Sequence, residues 1–565
     1  MADPTVSSPV PEDKETGIHH HTSITDDTNT ATPNNHNAAH PEDLAAEAAQ
    51  AASAEHKMSL LEAIRTYPKA IGWSVLLSST LIMEGYDLAL LSNLYSSAVF
   101  QRKYGTFVEA QNKHVISAAW QSGLSNGARA GEIFGLVIAG WTADRYGYRA
   151  TTMGFLVLMI AFIFILVLGE VLCGNAPTSI LASSIAANVL QESLGVLSRV
   201  APVVTLHKDE KANYKTLQTN KIQVIGQFFS AAVNKGSYHH QDEWAYRIPF
   251  GVQWVWPIPI LIGLFFAPDR SPWWYVRHND KPAAKRALLR LTSRNQPNFN
   301  PDETIAMIEH TNELEKRAKE GVTYADCFKG VDLRRTEIVV GIWLVQTLGG
   351  QNLMGYFAYF LTQAGMDPGN SFSLSMGQYA LGMVGTAGSW FLMSRIGRRT
   401  IHFSGLCAQF CLLLIVGCLS FSDSNASVWA IGAVLIVFTF VYDFTVGPVT
   451  YSLVSELSST RLKNKTIVLA RAGYNASNIF VNVMTNYQLS STAWNWGART
   501  ALFWAGTCLL SSVWVYFRVP EPKGRTYAEL DLLFEHKVSA RKFAETKIDP
   551  YSHELNSEKK LAEEH

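Results

Sequence analysis

Two basic signatures recur along this chain, each repeated six apolar spans later. DRYGYRA (Asp144–Ala150) follows the second span and SRIGRRT (Ser394–Thr400) follows the eighth. PDRSPWWYVR (Pro268–Arg277) follows the sixth and PEPKGRTYAEL (Pro520–Leu530) the twelfth. A chain that repeats its loop chemistry at that interval is two six-helix bundles of the same orientation. Parallel repeats of this kind place a binding site near mid-membrane between the halves, the arrangement of secondary transporters.

The spans carry the fold. Of the 565 residues, 48% are hydrophobic and 17% charged, and the two kinds are sharply separated along the chain. Residues 1–57 are polar and hold no apolar run able to build a core, so they read as a disordered tail. From Ile71 onward, apolar stretches alternate with short polar loops, each stretch about twenty residues long, enough for a helix to cross ~30 Å of hydrocarbon. Spans fall at roughly 71–95, 115–142, 151–171, 247–267, 337–362, 374–394, 401–420, 428–453, 466–486 and 499–518. No N-terminal signal peptide is visible, so the first span serves as the insertion signal.

Positive residues gather in alternate loops: Arg145 and Arg149; Arg395, Arg398 and Arg399; Arg461, Lys463 and Lys465. The intervening loops 363–373 and 421–427 carry no Lys or Arg. The positive-inside rule then places both termini and the basic central segment in the cytoplasm, which requires an even number of spans. The expected division is a tail over 1–57, a first bundle over 58–267, a cytoplasmic central loop over 268–335, a second bundle over 336–518 and a tail over 519–565.

Twelve spans require two more between Cys173 and Tyr246, and that interval fits poorly. Ile180–Leu206 makes a fourth span only by enclosing Gln191, Glu192 and Arg199. A fifth would begin with HKDEKANYKTLQTNK (His207–Lys221), where each charge at a helix centre costs ~2.5–3.5 kcal/mol. The short apolar run Ile222–Val233 does not offset that. Helices four and five are therefore the doubtful part of an otherwise all-α, twelve-helix architecture.

The loop signatures, QTLGGQNLMGYFAYF (Gln346–Phe360) and FTVGPVTYSLVSELSSTRLKNKTIVLAR (Phe444–Arg471) resemble the sugar-porter family of the major facilitator superfamily. Within it, MEGYDLALLSN (Met83–Asn93), GEIFG at Gly131 and RIPFGVQWVWP (Arg247–Pro257) are similar to the fungal maltose and α-glucoside permease branch. The resemblance covers about residues 60–174 and 224–540. It implies alternation between outward-open and inward-open states and proton-driven sugar uptake across a plasma membrane, with no cofactor beyond the coupling proton. The chain departs from the family over 175–223, where the family carries its fourth span, a P-x-x-x-R-G loop and most of its fifth. A non-transporting sugar sensor or a defective carrier is the alternative that this departure raises.

Glu84 and Asp87 lie mid-span, three residues apart and so on one helix face. Carboxylates in an apolar span are costly, and they mark ion or proton paths. Glu132 is a third acid, in the second span, and Arg471 supplies a counter-charge. The resemblance makes these four the proton-coupling candidates; the structural alternative is that they only hold helices together. Sugar recognition needs amides and hydroxyls. Gln346, Gln351, Asn352 and Tyr356 fall within three turns of the seventh span, and the family's sugar-binding glutamine motif maps onto Gln351 and Asn352. Gly349 and Gly350 permit a helix break there. Gln227, Gln253, Tyr451 and Asn475 are further candidates, for which interhelical hydrogen bonding is an equal reading. Gly447 and Pro448 suit a kink.

Opposite charges at helix ends suggest cytoplasmic latches: Asp144 with Arg145 and Arg149, and Glu456 with Arg395, Arg399 and Arg461. Positive charge serving topology alone is the competing explanation, and both can hold. The six cysteines show no zinc or disulfide spacing, and His19–His21 sit in the polar tail, so no metal site is expected. Asn425 heads a sequon in a short outer loop, where glycosylation is not favoured. No nucleophile–base set or phosphate loop points to an enzyme, and basic residues flank spans rather than form a nucleic-acid stripe. Which sugar is carried, and the oligomeric state, are not encoded in these motifs.

Overall fold

A computed structural model describes residues 79–546 apart from 110–111, 147, 174–210, 267–271, 293–299, 320–321 and 423, together with 69, 72–73 and 75–76. The expected fourth span and the polar N-terminal tail lie outside the described residues. In the first half, α1 (Thr80–Leu94) leads through a short α2 (Ala98–Tyr104) to a two-stranded antiparallel hairpin. Its strands β1 (Thr106–Val108) and β2 (Lys113–Val115) pair Phe107 with His114. Then come α3 (Ala118–Tyr146), α4 (Tyr148–Cys173) and α5 (Lys211–Ser237). The sixth span is broken into α6 (Trp244–Val252), a 3₁₀ turn over Gln253–Val255, and α7 (Pro257–Phe266).

The central segment forms three short helices, α8 (Pro272–Arg277), α9 (Lys281–Leu291) and α10 (Pro301–Lys319), around a small core of Val276, Ala284, Leu288, Ile305 and Ile308. The second half opens with α11 (Gly330–Gln346), a π turn over Thr347–Gln351, then α12 (Asn352–Gly355) and α13 (Phe357–Gln363). It continues with α14 (Pro368–Arg395), α15 (Arg398–Leu419), α16 (Asn425–Phe444), α17 (Val446–Leu457), α18 (Lys463–Leu489) and α19 (Thr500–Arg518). A last helix, α20 (Tyr527–Glu535), docks against this half with Leu530, Leu533 and Phe534 buried.

Of the two doubtful spans, the structure describes the fifth, as a helix that is not among the segments apolar enough to cross a membrane. Despite its charged first half, α5 is one continuous helix of 27 residues, about 40 Å long at 1.5 Å per residue. Beyond Ile222, α5 crosses α1 at backbone distance. A Cβ on Gly85 would stand 1.9 Å from the Gln223 carbonyl oxygen, and one on Gly226 would stand 2.0 Å from that of Ile82. Small residues on both helices make this crossing, as they do wherever membrane helices lack a hydrophobic drive to associate.

Four described segments are apolar enough to cross a membrane on composition alone: Trp244–Phe266, Arg398–Leu419, Asn425–Leu457 and Gly497–Arg518. Several of the others, among them α1, α14 and α18, bury polar residues such as Glu84, Gln378 and Asn478, which dilutes their hydropathy.

Two breaks in the second half shape its interior. Gly350 takes φ +89°, a left-handed conformation that favours glycine, and so interrupts the seventh span between Gln346 and Asn352. The tenth span breaks at Thr445, three residues ahead of Pro448, whose nitrogen cannot bond the Phe444 carbonyl.

Candidate functional site

Between the halves lies a cavity of about 210 Å³. From the first half it is lined by α1, α3 and α5, and from the second by α11, α12, α14 and α16–α18 with the π turn and Tyr356. Three acids face it, Glu84, Asp87 and Asp443, with two arginines, Arg129 and Arg471. Much of the remaining wall is amide and hydroxyl.

The α1 acids are each met by a first-half glutamine. Gln223 Nε2 donates to Glu84 Oε1 at 3.4 Å, and Gln253 Nε2 donates to Asp87 Oδ1. Gln253 reaches Asp87 because the sixth span breaks there: Pro249 lies inside α6 and Pro257 starts α7. The same break leaves the Pro249 carbonyl to accept the Tyr86 hydroxyl at 2.7 Å. Gln253 is thus buried behind Asp87 rather than on the cavity wall, whereas Gln227 lines the cavity. Arg471 stacks over Tyr474 at 4.8 Å and Trp343 at 5.4 Å. The side chain of Glu132 lies outside what the structure describes.

Across the cavity, the break at Gly350 aims Gln351 and Asn352 inward. Asn352 Nδ2 donates to Asn482 Oδ1 at 2.8 Å, and Gln346 Nε2 donates to the Tyr442 hydroxyl at 2.5 Å. The amide oxygens of Gln346 and Gln351 are buried and accept nothing from the described residues. Tyr356 donates to Ser125 Oγ at 2.9 Å in the other half and accepts from Asn486 Nδ2 at 3.3 Å. Tyr451 lines the cavity with its ring against Trp343, centroids 4.8 Å apart. Asn475 is buried away from the cavity, and its amide finds no partner among the described residues.

Sequence reasoning passed over several wall residues. Asp443 and Arg129 are charges within apolar spans, the same signal that singled out Glu84, so they were within reach of it. Asp443 packs against the bare face of α14, where a Cβ on Gly382 would stand 2.5 Å from its Oδ2. Arg471, Tyr474, Asn478 and Asn482 recur at helical spacing on α18 and all face the cavity. Asn475 is one residue out of that stripe, about 100° around the helix.

At the arginine-rich end, Arg149 donates to the carbonyls of Leu264 (2.9 Å) and Phe265 (2.6 Å) at the end of α7. Arg399 donates to the Tyr516 carbonyl (2.7 Å) near the end of α19. Arg145 lies over Trp141 and Arg395 over Phe391. Glu456 pairs with Arg398 (3.3 Å) and Arg461 with Asp332 (3.2 Å). The side chain of Asp144 lies outside what the structure describes.

At the opposite end, the halves are joined directly. Lys235 Nζ donates to the Gly369 carbonyl (2.7 Å), the Tyr238 hydroxyl to Asp367 (3.3 Å), and Gln121 Nε2 to the Tyr359 hydroxyl (3.0 Å). Burial and the Asp367 carboxylate both push the Tyr238 phenol above its ordinary pKa.

Residues 73–534 match the family model described as "Sugar (and other) transporter". The general α-glucoside permease of Saccharomyces cerevisiae is 39% identical over 525 residues, covering 92% of this chain and 84% of that protein. A maltose permease of the same yeast is 38% identical over 538 residues, covering 92% and 85%. Among solved structures, the inward-open conformation of the xylose transporter XylE from E. coli shares the fold at TM-score 0.66 and 18% identity, covering 82% of this chain and 99% of that one.

Proposed function

As a member of the sugar transporter family of the major facilitator superfamily, in the branch of fungal maltose and α-glucoside permeases, the chain is, we propose, a proton-coupled carrier of an α-glucoside such as maltose. It works by alternating access across the plasma membrane, with both termini and the central segment 268–335 cytoplasmic.

The observation that carries this reading is the chemistry of one cavity between the halves. Carboxyls of α1 stand on one wall, each hydrogen-bonded by a glutamine. On the other wall, the oxygens of Gln346 and Gln351 accept no hydrogen bond from the described residues. Buried acceptors without donors are costly, and sugar hydroxyls satisfy them. Gln351, Asn352, Gln227 and Tyr451 supply further amide, hydroxyl and aromatic contacts. Glu84 and Asp87 take up the external proton, Glu132 extends the acidic path, and Arg471 with Arg129 balances the charge. Protonation removes negative charge from the cavity, so loaded and empty carriers differ in the cost of closing around it.

Closure at the Lys235–Gly369 and Tyr238–Asp367 end supports an inward-facing state. Arg145, Arg149, Arg395, Arg399, Arg461 and Glu456, together with Asp144, lie at the face that must close in the return step. The test is uptake of labelled maltose at acidic and neutral external pH, in yeast lacking its own permeases and normalised to surface protein. Greater uptake in acid is expected; none at normal surface density would overturn the assignment.

A further inference from the structure

At the arginine-rich face, two guanidinium groups converge on one aromatic ring. Arg399 Cζ lies 5.7 Å from the centroid of Tyr516 and Arg541 Cζ lies 5.0 Å from it. Arg399 spends one hydrogen bond on the Tyr516 carbonyl, while Arg541 donates none to any described residue. Three carboxylates of this face are engaged with other groups: Glu337 pairs with Arg518, Glu456 with Arg398, and Glu521 accepts from the backbone N–H groups of Arg398 and Thr400. Positive charge serving topology alone does not require two cations gathered at one ring.

The surface beside this pair is apolar. Leu510, Val513 and Phe517 recur along one face of α19 and are 71%, 49% and 58% exposed. That stripe ends within one residue of Tyr516. A pair of forked donors at the head of an apolar stripe matches a phosphate group carrying acyl chains.

We propose that Arg399, Arg541 and Tyr516 form a headgroup site for one anionic glycerophospholipid, whose chains lie along Leu510, Val513 and Phe517. The assignment rests on the cytoplasmic orientation proposed above, because anionic lipids are concentrated in that leaflet. Occupancy would tie α20 and the chain after it, through Arg541, to the lipid-facing edge of α15 and α19.

Binding is measured on the purified full-length protein in detergent, where neither orientation nor transport enters, so the result stands apart from the uptake assay. Dioctanoyl phosphatidylserine is titrated by native mass spectrometry against dioctanoyl phosphatidylcholine and sodium phosphate. One phosphatidylserine should bind in preference to phosphatidylcholine. Arg541→Gln should weaken it about fivefold, the worth of one basic residue at a membrane surface. Arg290→Gln, on the remote α9, should not. Val513→Asp, which leaves the arginines intact, should weaken the lipid and not inorganic phosphate. Equal binding of the two lipids, indifference to Arg541→Gln, or displacement by an equal concentration of phosphate would each overturn the proposal.

Discussion

Arg149 and Arg399 occupy equivalent places in the two halves and make the same contact. Each is the sixth residue of its basic loop signature and each donates to carbonyls near the end of the last helix in its own bundle, Leu264 and Phe265 for Arg149 and Tyr516 for Arg399. Those carbonyls have no partner within their own helix, and a cation there also meets the negative end of the helix dipole. The equivalence extends one turn back, where Arg145 covers Trp141 and Arg395 covers Phe391. The repeated sequence is therefore a repeated interaction, one that clamps the third helix of each bundle to its sixth.

Because the contacts match, Arg149→Gln and Arg399→Gln should destabilise alike. Each loses hydrogen bonds to a charged donor, worth about 1.5–3 kcal/mol. Thermal unfolding in detergent checks this; a loss confined to one half would show that the equivalence is only geometric.

Asp87→Asn should abolish the pH dependence of sugar uptake while leaving exchange of sugar across the membrane. The amide keeps the contact with Gln253 but takes up no proton. Uphill accumulation that persists in this variant would remove Asp87 from the proton path.

Asp443→Asn tests the acid on the opposite wall. With no hydrogen-bond partner among the described residues, its carboxylate is available to sugar hydroxyls. Uptake affinity should fall by roughly tenfold, the lower end for a charged hydrogen bond, at unchanged surface density. An unaltered KM would make Asp443 a packing residue against Gly382.

Tyr238→Phe removes a tie between the halves at the closed end and should favour the outward-open state by about 1 kcal/mol, roughly fivefold. Labelling of a cysteine placed at Gln227 by an external reagent would report it. The sign of the pH effect follows from the raised phenol. A group whose folded pKa exceeds its unfolded value, ~10 for tyrosine, contributes fully below that value and is lost only as pH rises through the folded one. The tie should therefore be indifferent to pH across the acidic and neutral range, and labelling that changed there through Tyr238 would contradict it.

Gly350→Ala should cost about 1–2 kcal/mol, because φ +89° lies where an L side chain meets its own backbone. The loss should appear as a lower melting temperature and less protein at the surface.

What the sequence by itself determined is local and periodic. Spans, the six-helix repeat, the sided arginines, the break at Gly349–Gly350 and the paired acids Glu84 and Asp87 all follow from hydropathy, helical spacing and residue type. The charged opening of α5 left the fifth span in doubt, and in the structure α5 is a continuous helix of 27 residues that is not among the described segments apolar enough to cross a membrane. Tertiary structure alone decided which polar side chains share the cavity. It sent Gln253 behind Asp87, put Asn478 on the wall and Asn475 off it, set Asp443 opposite the α1 acids, and gave Glu456 to Arg398. The reason is rotational: each residue step turns a side chain about 100° around its helix, and only the close contacts between helices, such as Gly85 on Gln223 and Gly226 on Ile82, fix where that rotation begins.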